Sequence, residues 1–326
     1  MLENNLDSTA VLAKRTSDQY KRYQRVDFLV HLVATFFAIL LLVLVFAIAL
    51  QLHYASLPSL KKFGLHFLVS AEWNPVTEQF GALVPILGTI LTAFIALLFG
   101  IPISFGIALF LTELAPRWLR QPLRILIELL AGIPSIIYGM WGLFVFAPFF
   151  ADHIQPWMIE HLGGLPSIII APLFQGAPLG IGILTAGIVL SIMVIPFIAS
   201  VMRDVFEIVP DLLKESAYAL GATKWEVVWN IILPYSRIGV SGGIILGLGR
   251  ALGETMAVAF VIGNSHQLSA SLLMPGSSIA SVLANEFTEA TGKMYSSALS
   301  ELGLILFGIT LLVFICSKFL LKKVGK

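Results

Sequence analysis

Six stretches of this chain are apolar for long enough to cross a lipid bilayer, which excludes most other folds. They run over Val26–Leu50, Leu83–Leu111, Leu123–Phe149, Ile181–Met202, Ile238–Ile262 and Ala298–Lys318. A hydrocarbon core ~30 Å thick is crossed by about 20 residues of helix. Within it each segment must satisfy its own backbone N–H and C=O groups. The expected fold class is therefore an all-α membrane protein with six transmembrane helices. Composition agrees, with 58% hydrophobic and 12% charged residues against about 25% charged in soluble domains. The first stretch is too long for a cleaved signal peptide, and no small-residue cleavage site follows it. It reads as a retained span. The lone cysteine, Cys316, excludes an intrachain disulfide.

Orientation follows from the basic residues. With the N-terminus, the second and fourth loops and the C-terminus on one side, that side holds sixteen lysines and arginines. The other side holds three, Lys61, Lys62 and Lys293, and Arg250 alone lies inside a span. By the positive-inside rule both termini are cytoplasmic. The near-neutral net charge conceals this asymmetry, and no basic run with interleaved aromatics suggests nucleic acid. Between spans, the segment from about 150 to 180 is broken by Pro and Gly and reads as non-spanning. Residues 279–287 suit a short amphipathic helix.

The fifth stretch contains Gly-Leu-Gly-Arg-Ala-Leu-Gly-Glu-Thr-Met-Ala, with Arg250 near its midpoint and Glu254 four residues on. Insertion scales put a midspan arginine at ~3 kcal/mol, so such a residue faces a partner or a polar pathway. On one continuous helix Gly239, Gly243, Gly247, Arg250, Glu254 and Ala257 share a narrow stripe. Two accounts stay open. The pair either neutralises itself and fixes packing, or lines a pathway in which a guanidinium meets an oxyanion bidentately. Gly243, Gly247 and Gly253 read as small-residue packing positions.

The basic-side loop over 203–237 reads as two short helices separated by Gly221, which supplies a left-handed helix stop. Thr223 with Glu226 forms a capping box that starts the second helix, and Pro234 is expected to end it. Lys224 against Glu226 is not the basic recognition helix that DNA binding would need.

Glu215-Ser-Ala217, then Gly221, then Ile231-Ile-Leu233-Pro234 resembles the EAA loop of ATP-binding-cassette importer permeases, with Ser216 where alanine is usual. From about Phe80 to about Phe307 the segments GALVPILGTILTAF, SFGIALFLTELAP, IELLAGIPSIIYGMWGLFVFAP, MRDVFE, GLGRALGETMAV and ELGLILF resemble PstC-type permease subunits of phosphate-specific importers. The resemblance implies a type I, MetI-like permease carrying phosphate, and it transfers substrate contact onto Arg250 and Glu254. It makes Glu215, Ala217, Gly221, Ile231, Leu233 and Pro234 an ATPase-coupling loop. It also implies a PstA-like sister permease, two PstB-like ATPase subunits using ATP and Mg, and a PstS-like periplasmic phosphate-binding protein, at a bacterial inner membrane. The organisation that follows is a cytoplasmic tail (1–25), a first helix (26–50) and a periplasmic loop (51–82). A permease core (83–318) containing the coupling loop (203–237) and a basic tail (319–326) complete it. Alternatives are a permease for another oxyanion, the sister PstA-type subunit, or, in a different class, an ion-coupled secondary transporter or channel.

No catalytic or metal-binding residues are expected, and no P-loop occurs, so this chain is expected not to hydrolyse ATP or bind a cofactor itself. Gly247–Gly253 approximates a dinucleotide fingerprint and Gly239–Gly243 a nucleophile elbow, but both need a preceding strand. His153 and His161, with Asp152 and Glu160, read as exposed loop residues. Glu113 and Glu301 read as solvated span ends, and Glu128 as a local or interfacial partner.

Overall fold

The computed structural model describes the backbone of residues 2–324 and the side chains of residues 26–319 and 321. Side chains of the expected tails, 1–25 and all but Phe319 and Leu321 of 319–326, lie outside the described residues. The chain divides into two units, residues 1–54 and 55–326. The first is a single helix, and its helix, α1 (Leu2–Phe63), carries its last residues into the second unit. Pro58 lies inside α1 without ending it, and Gly64 at φ +55° does so instead.

The second unit is helical, with α2 (Leu83–Leu114), α3 (Arg117–Ala131), α4 (Ser135–His161) and α5 (Ile183–Glu207). There follow α6 (Asp211–Ala219), α7 (Lys224–Leu252), α8 (Met256–Val261), α9 (Ile279–Glu286) and α10 (Lys293–Val324). Among the described residues six helices are long and apolar enough to cross a membrane, one each in α1, α2, α4, α5, α7 and α10.

Several boundaries differ from the sequence expectation. The third span does not begin at Leu123. Residues 123–131 belong to α3, a separate amphipathic helix that stops at Gly132-Ile133-Pro134 because the residue before a proline is pushed out of the helical region. The span then continues beyond Phe149 to His161, through Pro148 and Pro156. Wider π turns over Gly142–Phe146 and Phe150–Ile154 absorb the missing proline donors. Pro234 likewise fails to end its helix. A π turn over Val228–Ile232 leads into it, and it sits in the first turn of the segment Leu233–Leu252, where a missing N–H is tolerated. The fifth span ends at Leu252 rather than Ile262, and α8 restarts only after Gly253-Glu254-Thr255.

α5 is the enclosed centre, packed along α2 through Ala93, Ala96, Ala186, Val189, Leu190 and Val194. Gly187 makes that approach possible, since a methyl there would overlap the Ile95 side chain. The glycine stripe of α7 lies against the same helix. Methyls at Gly239, Gly243 and Gly247 would meet Val205, Val201 and Ile198 respectively. Close backbone approach of this kind is how membrane helices gain dispersion energy without a hydrophobic drive. At the far end of α2, the N–H of Ile279 donates to Thr89 Oγ1 (2.9 Å), and Gly88 lies directly under the Ser277 carbonyl.

A methyl at Gly88 would collide with that backbone oxygen, whereas one at Gly100 on the same helix meets nothing within 4 Å. Gly88→Ala is therefore expected to lower unfolding stability by about 1–3 kcal/mol, and Gly100→Ala to leave it equal or higher. Thermal unfolding of the two purified variants in detergent checks this.

Candidate functional site

Arg250 occupies the last turn of α7, two residues before the helix ends. It lies 13 positions beyond Arg237, or about 20 Å along the helix, a distance comparable with most of a ~30 Å hydrocarbon core. The glycine stripe sets its direction. Gly247 rests on Ile198 of α5, and one turn on the Arg250 guanidinium lies over the Phe197 ring with Cζ 5.4 Å from the centroid. Two local effects favour a cation there. The C-terminal carbonyls of α7 carry partial negative charge, and the ring face attracts a guanidinium by about 0.5–2 kcal/mol. Neither supplies an anionic partner. Among the described residues no carboxylate lies within 4 Å of Arg250, and its buried Nε has no hydrogen-bond acceptor.

Glu254 is engaged elsewhere. The helix break puts it ahead of α8, where Oε1 accepts the Ala257 N–H at 3.1 Å. The shared stripe of Arg250 and Glu254 on one helix does not exist, because the helix that would carry it ends between them. Gly253 is part of that break. It is exposed, and a methyl there would approach nothing closer than the Gly249 carbonyl at 3.6 Å, so it is a helix end rather than a packing position. Gly243 and Gly247 are buried against α5. α8 packs on α4 at Gly139, where a methyl would press on Ala257, Phe260 and the Met256 carbonyl. Two interrupted segments thus meet beside the guanidinium.

The 203–237 loop forms as its residues dictate. Gly221 adopts φ +88°, the Ala222 N–H donates to Ala217 O and the Gly221 N–H to Tyr218 O. These two bonds close α6 as a Schellman turn. Thr223 and Glu226 cap the start of α7 reciprocally. Glu215 and Gly221 are exposed, Pro234 is exposed, and Ala217, Ile231 and Leu233 pack partly against the core. Leu220 is 91% exposed, with Leu212 and Trp225 also uncovered.

Several polar residues have environments that differ from the sequence reading. Glu113 is not a solvated span end; it receives Lys214 Nζ of α6 at 2.8 Å, with both side chains 13% exposed. Glu301 is buried in α10, with Oε2 unpaired, in a region where the Ser59 N–H donates to Ser297 Oγ. Glu128 accepts from Arg124 (3.1 Å) and from buried Arg203 (3.3 Å), joining α3 to α5. His153 and His161 lie on α4, stacked on Phe149 and Trp157, rather than in a loop. Sequence reasoning also missed a cluster at the far end, where Glu286 accepts from His266 (2.7 Å), Tyr295 (2.6 Å) and Trp73 (2.8 Å). Burial opposes ionisation of Glu286, but those hydrogen bonds outweigh it and hold the carboxyl below its usual range. Its contribution is present above the ordinary carboxylate range and is lost as pH falls through the depressed value. No spacing in the sequence could have joined these residues, because they come from four separate segments.

Residues 100–326 match the family described as binding-protein-dependent transport system inner membrane component. The chain is 56% identical over 318 residues to the phosphate transport system permease protein PstC of Pasteurella multocida, covering 97% of this chain and 98% of that protein. It is 60% identical over 287 residues to the PstC protein of Haemophilus influenzae, covering 88% of this chain and 90% of that one. A more distant relative, the probable PstC protein of Methanocaldococcus jannaschii, is 39% identical over 293 residues, covering 88% of this chain and 91% of its own. Among solved structures, an inward-facing form of the MetNI methionine ABC transporter aligns with a TM-score of 0.53 and 16% identity. It covers 74% of this chain and 95% of that chain. At that identity the likeness establishes the fold alone, and the fold is MetI-like.

Because Arg250 and Glu254 make no ion pair, their substitutions should act independently. A double-mutant cycle of Arg250→Leu and Glu254→Leu, read by thermal unfolding, is expected to give additivity within about 0.5 kcal/mol. A coupling of several times that size would restore the self-neutralising pair.

Proposed function

The chain belongs to the binding-protein-dependent transport inner-membrane components and, among them, to the PstC phosphate transport permeases, and from that membership we propose how its residues divide the work. It is a multi-pass membrane permease subunit of a phosphate ABC importer, working with other subunits of that transporter. Arg250 is the intramembrane station for the phosphate anion. The observation that carries this reading is a guanidinium some 20 Å along the spanning helix with no carboxylate within 4 Å among the described residues and a buried, unsatisfied Nε. A phosphate oxygen would accept from that fork with charge-assisted geometry. A purely structural arginine would instead be paired. Glu254 acts on this station indirectly, by capping α8 and so fixing where α7 stops. Its charge, left on the far side of the break, disfavours anions lingering beyond Arg250.

The sixteen-to-three distribution of basic residues supports a cytoplasmic position for the loop over 203–237 and for both termini, in a bacterial inner membrane. There α6, with Glu215, Leu212 and Leu220 uncovered, docks on a PstB-like ATPase that uses ATP and Mg, one of two such subunits. The Lys214–Glu113 pair passes movement of α6 into α2. A PstA-like sister supplies the other half of the pathway, and a PstS-like protein delivers phosphate from the periplasm. This chain itself binds no cofactor. A secondary transporter or channel would use a midspan arginine but would have no role for an exposed, capped helix pair.

ATP-driven phosphate uptake by the assembled transporter in proteoliposomes tests the station directly. Arg250→Lys keeps the charge but loses the fork, and is expected to lower uptake by about tenfold to a hundredfold. Arg250→Gln should abolish uptake with subunit assembly intact. Uptake near normal in Arg250→Gln would refute the role.

Coupling and topology have their own tests. Gly221→Val places a β-branched residue at positive φ, which strains the turn, so hydrolysis should persist while uptake per ATP falls. With Cys316 replaced, a cysteine at Thr223 should be protected from an impermeant thiol reagent in intact cells and one at Ser269 should label. The reverse pattern would invert the orientation and remove the docking assignment.

A further inference from the structure

An apolar groove of about 490 Å³ opens between the last third of α2 and α3, lined by Ile103, Gly106, Ile107, Phe110, Leu123 and Ile127. No charged side chain lines it. A methyl built on Gly106 meets nothing within 4 Å, so the space over that residue is empty of protein. Leu123 and Ile127, one turn apart on α3, form its far wall. A second stripe on the same helix, Trp118, Ile125 and Leu129, is 75%, 48% and 65% exposed and turns further apolar surface outward.

Beside the groove runs a row of cations. Arg117, Arg120 and Arg124 recur at helical spacing on α3 and lead into Ile127. They are not equivalent. Arg124 is engaged by Glu128 and Glu207. Arg120 donates through Nε to the Ala115 carbonyl at 2.8 Å, which anchors its guanidinium at the turn between α2 and α3. Arg117 is exposed, and among the described residues it has no carboxylate within 4 Å. A helix with arginines along one edge and Trp and Leu on the other is built to lie in a membrane interface.

We propose that α2 and α3 form a site for one anionic phospholipid of the leaflet on the basic side. Its phosphate sits on Arg117 and Arg120, and one acyl chain lies in the groove over Gly106. The chemistry selects this occupant. A free phosphate would use the arginines and ignore the groove. A protein helix would fill the groove and leave the arginines without counter-charge. A lipid uses both, and it lies one turn from Glu113, where α2 holds Lys214 of α6. The site is separate from Arg250 and does not depend on the role assigned to it.

Native mass spectrometry of the assembled transporter in maltoside detergent, loaded with palmitoyl-oleoyl phosphatidylglycerol or with the phosphatidylcholine analogue, reads the site. Wild type should retain the anionic lipid about tenfold in preference to the zwitterionic one, as two charge-assisted contacts imply. Arg117→Gln with Arg120→Gln should remove that preference. Gly106→Phe fills empty space rather than displacing neighbours, and should lower retention of both lipids while its lipid-free melting temperature stays at the wild-type value. Phosphatidylglycerol should also raise the melting temperature of wild type and of neither variant. Equal retention of the two lipids by wild type would overturn the proposal, as would unchanged retention in both variants. Displacement of the lipid by millimolar inorganic phosphate would reduce the site to a free-anion patch and overturn it too. So would photo-cross-linking of a diazirine-tagged cysteine at Gly106 to another subunit, with Cys316 replaced, which would show protein in the groove.

Discussion

A positive charge well inside a spanning helix is expensive to hold, and the second unit carries one at Arg250. At ~3 kcal/mol or more, Arg250 needs compensation, and the described residues supply no carboxylate. They supply the open carbonyls at the end of α7 and the face of Phe197. The helix ends where the charge is, which leaves polar backbone at membrane depth. Such backbone is tolerated only where protein or a water-filled cavity surrounds it. Helices interrupted at membrane depth recur in transporters under the same constraint.

Holding an interrupted helix still requires a rigid support, and glycines provide the closeness. Gly239, Gly243 and Gly247 let α7 lie on α5, Gly187 lets α5 lie on α2, and Gly139 lets α4 lie on α8. The axis of support is therefore the enclosed α5, with the guanidinium at its Phe197. Polar ties fasten the two ends of the unit. Arg203 with Glu128 and Lys214 with Glu113 join helices on the basic side. Glu286, with His266, Tyr295 and Trp73, joins four segments on the other.

The six spans were legible because hydropathy over about 20 residues is a local property, and the turn at Gly221 and the Thr223–Glu226 cap were legible because their chemistry lies within a few residues. The break after Leu252 was not. Gly-Glu-Thr inside an apolar run has no strong stop signal, and the alignment of Arg250 with Glu254 at helical spacing argued for continuity. Leu123–Phe149 misled in the opposite sense, since high overall apolarity hid a boundary that Gly132-Ile133-Pro134 marks. Pro148, Pro156 and Pro234 look like stops but are absorbed by π turns or a first-turn position, which only tertiary context selects. Pairings such as Lys214 with Glu113, over 100 positions apart in sequence, carry no local signal at all.

The central claim is that Arg250 is free of Glu254 so that it can hold the transported anion. Rotational-echo solid-state NMR between ¹³Cζ-labelled arginine and ³¹P of occluded phosphate measures this directly, using the assembled transporter in maltoside. Difference spectra against Arg250→Lys isolate the one residue. The account predicts dephasing for a Cζ–P separation of about 4 Å, the distance that bidentate guanidinium–phosphate contact imposes. Occluded phosphate with no dephasing at Arg250 would contradict it.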